Sequence, residues 1–210
     1  MEQFVINIGR QLGSGGRTVG EIIARRLGVK LYDKELINLA ARESGICSEF
    51  FEKADEKESR GVISTVVGYL RAPFVGDDGG VTNVLSNDAL FKIQSDVIRA
   101  VAARESAVFV GRCADYVLRE RKDLLNVFIH APLSFRAERA QRVYEKQANN
   151  MEEFVRKKDK KRASFYNYFS QNKWGDARHY HLAISSVYGV DFAVEVLKHA
   201  ALSFPEGVGE

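Results

Sequence analysis

Short apolar runs alternate with segments of helical period along most of this chain. Phe4-Val-Ile-Asn-Ile is a mostly apolar run of the kind that forms a buried parallel strand. From Thr18 to Leu27 the apolar residues fall at Val19, Ile22, Ile23 and Leu27, one face of a helix, and Gly28 is placed to end it. Val29-Lys-Leu-Tyr predicts a second strand with Asp33 at its C-terminal end, and Lys34 to Ala41 returns to helical spacing. Between Ser44 and about Ser86 the pattern weakens. Phe50-Phe51 and Val62 to Leu70 are apolar, whereas Ala72 to Gly80, "APFVGDDGG", is rich in turn residues. Asn87 to Arg104 predicts an amphipathic helix with Leu90, Ile93, Val97, Ile98 and Val101 on one side. Three further strands are expected, at Ala107–Gly111, Asn126–Ala131 and His181–Ser185. Helices are expected at Ala114–Arg121, Leu133–Lys146 and Val190–Ala201, with a basic stretch from Val155 to Phe169. Such alternation predicts an α/β fold, a doubly wound parallel sheet.

Composition narrows the class. A chain of 210 residues, 45% hydrophobic and 28% charged, suits one α/β domain with insertions. The net charge of +3 suits anionic small molecules and is too weak to argue for nucleic acid. Cys47 and Cys113, with four histidines, make no metal-ligand spacing and read as reduced thiols. No apolar run approaches the roughly 20 residues that span a bilayer. These features predict a cytoplasmic protein, a monomer or homodimer, without membrane or nucleic-acid partners. Val62 to Leu70 would serve the core of the insertion or a dimer interface.

The chemistry concentrates in "GRQLGSGGRTVG", Gly9 to Gly20, between the first strand and the first helix. A loop there aims backbone N–H groups at one spot, and the helix N-terminus adds partial positive charge. Gly13, Ser14, Gly15, Gly16, Arg17 and Thr18 meet the demands of a phosphate cradle, with the Thr18 hydroxyl available to a phosphate or to Mg²⁺. The strict G-x-x-x-x-G-K-[ST] pattern nevertheless fails. Against a G-S-G-K-G-T loop, Gly16 stands on the lysine and Arg17 on the glycine after it. Arg17, with its planar fork of donors, would supply the cation one position later. The same residues would also make a plain helix cap.

Two more charged positions join the loop. Arg112 follows the strand Ala107–Gly111 and Asp33 ends the second strand, so both fall on the C-terminal rim of the sheet, where open α/β folds bind ligands. Arg112 would equally begin a surface helix, and Asp33 would equally cap one. Late in the chain, Arg156-Lys-Lys-Asp159-Lys-Lys-Arg162 reads either as a solvated helix face or as a basic lid. Helical spacing puts Arg156, Asp159 and Arg162 on one side. The neighbouring Phe165, Tyr166, Tyr168, Phe169 and Trp174 would stack on a base or pin the segment to the core.

These clusters, in this order, resemble the cytidylate kinase-like family within the P-loop nucleoside monophosphate kinases. The resemblance is carried by "INIGRQLGSGGRTVGEIIARRLGVKLYDKELI", "VFVGRCADYVL", "FIHAPLSFRAERAQR" and "KKDKKRASFYNYFSQNKWGDARHYHLAIS". The lysine-free loop is itself part of the likeness. It implies a CORE of residues 1–43, 87–135 and 176–210, a monophosphate-binding insertion at 44–86 and a LID region at 136–175. It implies ATP and Mg²⁺ as cofactors and small-molecule nucleotide substrates. Arg112 matches an arginine that contacts the acceptor nucleotide, and Asp33 an aspartate on the acceptor side. Arg156, Asp159 and Arg162 fall on the LID, where, with Arg17, they are the expected catalytic groups. Cys113 replaces the aspartate usual after Arg112, and Lys34 departs from the Thr-Gly usual after Asp33, so cytosine specificity is not implied. The expected activity is ATP-dependent phosphoryl transfer to a nucleoside monophosphate or similar phosphorylated acceptor. The alternatives are a catalytically silent nucleotide-binding regulator and a kinase of a non-nucleotide metabolite.

Overall fold

The structure, a computed structural model, describes residues 3–33, 37, 38, 40, 41, 84–144 and 150–203. Cys47, Phe50-Phe51, Val62 to Leu70 and the turn-rich stretch from Ala72 to Gly80 lie outside the described residues, as does most of the expected insertion. The chain divides into two units, residues 1–33 with 105–210, and residues 34–104.

In the first unit β1 (Val5–Arg10) leads through the glycine loop into α1 (Gly16–Leu27), and β2 (Lys30–Tyr32) follows. The second unit contains helical residues at Ile37, Asn38, Ala40 and Ala41, and the long helix α2 (Val84–Arg104). The first unit resumes with β3 (Ala107–Phe109), α3 (Ala114–Val117), β4 (Leu124–His130), α4 (Leu133–Tyr144) and α5 (Met151–Ser170). It closes with β5 (Leu182–Ser185), flanked by two short 3₁₀ turns, and α6 (Val190–Leu202).

The five strands run in the order β2-β3-β1-β4-β5. All four pairings are parallel. β1 is central: Val5 to Asn7 pair with Ala107 to Phe109 of β3, and Val5 to Arg10 pair with Leu124 to Ile129 of β4. The order reverses at β1, so the crevice beyond its C-terminal end is the topological switch point of the sheet. The glycine loop emerges there.

One face of the sheet, through Ile6, Ile8, Val108, Val127 and Ile129, packs on Val19 and Ile23 of α1 and Val194 and Leu197 of α6. Along β1 the intervening Asn7 points to the other face, where its amide donates to Asn126 Oδ1 at 2.7 Å. Asn126 in turn donates to the carbonyl of His179, at 2.7 Å. This polar ladder fastens the segment before β5 to the middle of the sheet. In α2 the expected face is buried, through Leu90, Ile93, Val97, Ile98 and Val101, and Gln94 donates to Asn38 Oδ1 within the same unit.

The largest differences from the sequence reading fall at two boundaries. The helix expected over Ala114–Arg121 stops at Val117, since the chain must turn back to enter β4 and the polar run Arg119 to Lys122 offers no face to bury. The basic stretch belongs to a 20-residue helix, α5, which begins earlier, at Met151. Asn150 accepts the Glu153 N–H as its N-cap, and Glu152 and Glu153 complement the positive helix end. Among the described residues no helix is long and apolar enough to cross a membrane.

Candidate active site

The glycine loop takes the shape that a phosphate cradle needs. Gly13 and Gly15 have φ of 77° and 80°, and Gly15 caps α1 in the left-handed region with no side-chain hydrogen bond to the helix end. A Cβ on Gly13 would collide with the Arg136 carbonyl. The N–H groups of the first turn, Gly16 to Thr18, have no acceptor within the helix and open toward the sheet rim. Val19 is the first to bond back, to the Gly15 carbonyl at 2.9 Å.

A buried ion pair fixes the entrance of the loop. Asp159 on α5 accepts the Leu12 N–H at 2.8 Å through Oδ1 and faces Arg136 Nη1 at 2.6 Å through Oδ2. Arg136 on α4 also donates to the carbonyls of Leu12 and Ala131. The lone pairs and donors that burial strips of water are thereby satisfied. Burial pushes the Asp159 carboxyl upward, opposed by the Leu12 N–H, Arg136 and Arg162. Those partners are well aligned, and it is as a carboxylate that Asp159 organises the loop.

The cations divide between those at the loop and those held elsewhere. Arg139, one helical turn beyond Arg136, lies against Gly15, with its guanidinium carbon 3.2 Å from where a Cβ would stand. It donates to Thr18 Oγ1 at 3.3 Å. Arg17 instead meets Glu21 at 3.1 Å and Asp33 at 3.0 Å, joining the first turn of α1 to the end of β2. Arg10 leaves the end of β1, passes Gly16 and reaches Gly111. The half-buried Arg162 is close enough to Asp159 to act on its charge. Arg156 is 70% exposed and faces Glu152, one turn earlier on α5, at 3.9 Å.

At the end of β3 the backbone is strained. Gly111, Arg112 and Cys113 have successive φ values of 77°, 62° and 55°. Two consecutive non-glycine residues in the left-handed region are costly and persist only where the surroundings impose them, which is common at ligand sites. Cys113 and Asp115 are buried beneath this turn. Tyr166 of α5 donates to Asp115 Oδ2 at 2.6 Å. Burial raises the Asp115 carboxyl above its ordinary range, with the Tyr166 hydrogen bond opposing, and burial likewise pushes up the Cys113 thiol. Helix α5 is thus tied to the core twice, through Asp159 to the loop and through Tyr166 to the Arg112 turn.

On the other side of the loop an open cleft of about 560 Å³ is lined by Gln11, Phe128, His130, Pro132, Trp174 and Ser185 among others. Trp174 stands edge-on to Phe128, with ring centres 5.4 Å apart. Tyr166 is buried against the core, whereas Tyr168 is 54% exposed.

Sequence reasoning named the loop, Asp33, Arg112, Asp159 and Arg162; Asp33 and Arg112 follow the ends of β2 and β3, Asp159 reaches Leu12 of the loop, and Arg162 lies near Asp159. That reasoning missed Arg10, Arg136 and Arg139. The signal for the latter pair was present: two arginines three apart, on a helix beginning just beyond the strand next to β1.

A five-stranded parallel sheet in this order, with a glycine loop at its switch point and arginines around it, is a P-loop kinase fold. Solved structures share it. A protein described as uncharacterized, from Eubacterium ventriosum, is 24% identical, with a TM-score of 0.69 over 96% of this chain and 99% of that one. The shikimate kinase of Acinetobacter baumannii, solved with shikimate, is 17% identical, with a TM-score of 0.51 over 97% and 96% of the two chains. A gluconokinase from Sinorhizobium meliloti is 16% identical, with a TM-score of 0.50 over 96% and 94%. Among curated proteins none matches. The sequence profile of the cytidylate kinase-like family matches residues 5–188, and the chain belongs to that family.

Proposed function

We propose that this protein transfers the γ-phosphoryl group of ATP to a small phosphorylated acceptor, of which a nucleoside monophosphate is the leading candidate. The observation that carries the reading is the convergence of the open glycine loop, Arg139 and the strained Arg112 turn on one rim of the sheet. Gly13 to Thr18 would hold the donor phosphates through backbone N–H groups, with Arg139 closing over them. The cradle fits a nucleotide phosphate: its glycines leave no side chain in the way, and Gly13 and Gly16 have no room for one. Mg²⁺ would arrive with the nucleotide, with Thr18 Oγ1 as its protein ligand, and would neutralise phosphate charge. The cleft beside Trp174 has the volume of a ligand pocket and would take the base.

Arg112 would grip the acceptor phosphate, already ionised at neutral pH, so no general base is required. Its oxygen attacks the γ-phosphorus as the bond to the leaving ADP breaks. Catalysis of this kind is mainly alignment and charge neutralisation. Arg162 would face the developing charge. Arg17 and Asp33, locked to each other, would border the acceptor side. Asp159 would act through the loop it fixes, and Arg156 would meet phosphate only by leaving Glu152.

The test is ADP release from Mg²⁺ and ATP across a panel of nucleoside monophosphates and phosphorylated and hydroxylated metabolites. Hydroxyl acceptors belong in it because proteins of this fold include a shikimate kinase and a gluconokinase. A stoichiometric phosphorylated product from one acceptor supports the reading. ATP binding without transfer to any member would favour a nucleotide-binding regulator instead.

A further inference from the structure

We propose that Arg10 is the cation of this phosphate loop, doing from the end of β1 what a lysine does from the start of the helix in a lysine-bearing loop. The inference deepens the ATP-dependent reading above and rests on it.

The first observation is positional. In G-x-x-x-x-G-K-[ST] the first glycine lies six residues before the lysine. With Gly15-Gly16 set on the G-K pair, that first position is Arg10. The chain therefore carries glycine where the pattern has lysine, and arginine where the pattern has glycine.

The second observation is spatial. A Cβ built on Gly16 would stand 2.5 Å from Arg10 Cβ, 3.1 Å from its Cγ and 3.3 Å from Ile129 Cβ. The stem of Arg10 fills the room that any side chain at position 16 would need. The two departures are thus one exchange: Arg10 needs a glycine at 16, and a lysine at 16 would need Arg10 gone.

The third observation is where the guanidinium goes. It lies so close to Gly111 that a Cβ there would run into Nη1. Gly111 is tied to β1 by its N–H bond to the Ile8 carbonyl at 3.1 Å, and it opens the strained turn that carries Arg112. Arg10 therefore extends from the loop of the donor phosphates toward the arginine assigned to the acceptor phosphate. An arginine keeps its charge at all working pH values and offers five donors in a planar fork, so it can meet oxygens on both sides of a transferring phosphoryl group.

The experiment measures Mg²⁺–ATP binding by calorimetry, with thermal melting of every sample, for wild type, Arg10→Met, Arg10→Lys, Gly16→Lys and the exchange variant Arg10→Gly/Gly16→Lys. Arg10→Met keeps the stem beside Gly16 and removes the charge. It is expected to weaken binding by at least roughly tenfold, about 1.4 kcal/mol, without a change in melting. Arg10→Lys should retain more affinity than Arg10→Met. Gly16→Lys alone should lose both stability and binding, and the exchange variant should recover binding well above Gly16→Lys and Arg10→Met. Arg10→Met binding as wild type would overturn the proposal while leaving the ATP reading standing. So would an exchange variant that melts like wild type yet binds no better than Arg10→Met. Absence of ATP binding by the wild type at millimolar concentration would overturn both.

Discussion

Asp159 and Arg136 face each other at 2.6 Å across the entrance of the glycine loop, and each also holds Leu12, the one by its N–H and the other by its carbonyl. A residue 147 positions away in sequence thus sets the path of the chain into the phosphate cradle. Removing one partner leaves the other charge buried and uncompensated. Asp159→Ala is expected to lower stability by about 3 kcal/mol, read by urea denaturation. Arg136→Met added to Asp159→Ala should cost much less than the sum of the single losses. Additive losses would mean that the two residues act independently.

Arg139 rests on Gly15 and Thr18 without being deeply buried. Arg139→Ala should weaken Mg²⁺–ATP binding by roughly tenfold or more, the cost of one charge-assisted contact to phosphate. The melting temperature should hardly move. Calorimetry and thermal melting on the same preparation separate these outcomes, and unchanged affinity would remove Arg139 from the nucleotide site.

Arg112 and Arg162 are assigned to different moments of the reaction. Arg112→Ala should raise the KM for the acceptor while leaving ATP affinity intact. Arg162→Ala should lower kcat by at least roughly tenfold, about 1.4 kcal/mol of barrier. Steady-state kinetics with acceptor and ATP varied separately distinguish the two, and Arg162→Ala turning over like wild type would exclude Arg162 from the chemistry.

Asp115 gives a pH dependence with a defined sign. Its folded carboxyl is raised above the ordinary value of 3.8 by burial. As pH climbs above about 4, the unfolded chain loses this proton first, so the folded state binds more protons and stability falls. Asp115→Asn keeps an acceptor for the Tyr166 hydroxyl and cannot ionise. Its stability relative to wild type should therefore grow between about pH 4 and pH 7, as followed by thermal melting. A constant difference would mean that the folded carboxyl is already ionised at the acid end.

How far the sequence could be read is clearest at the loop. Glycines flanked by an apolar run and a helical period announce a turn that cradles anions, because backbone freedom and helix polarity are local properties. Arg112 and Asp33 were legible for a related reason: each ends a predicted strand, and parallel strands put such residues on one rim. Arg17 is the instructive case. Its position in the pattern suggests the displaced cation, and the structure adds an ion pair with Asp33 at 3.0 Å. Which charge pairs with which depends on the spacing of strand ends, and no linear pattern reports that.

The sequence by itself determined the alternation of strands and helices, the parallel sheet and the place of the glycine loop, since each follows from the period of apolar residues and from local backbone chemistry. Only the tertiary structure decided that Asp159 of α5 reaches back to Leu12, that α5 is tied to the core through Tyr166, and that Arg10 takes the space of a side chain at position 16. Those relationships join residues far apart along the chain. They exist because burial forces each buried donor, acceptor and charge to find a partner, whatever its distance in sequence.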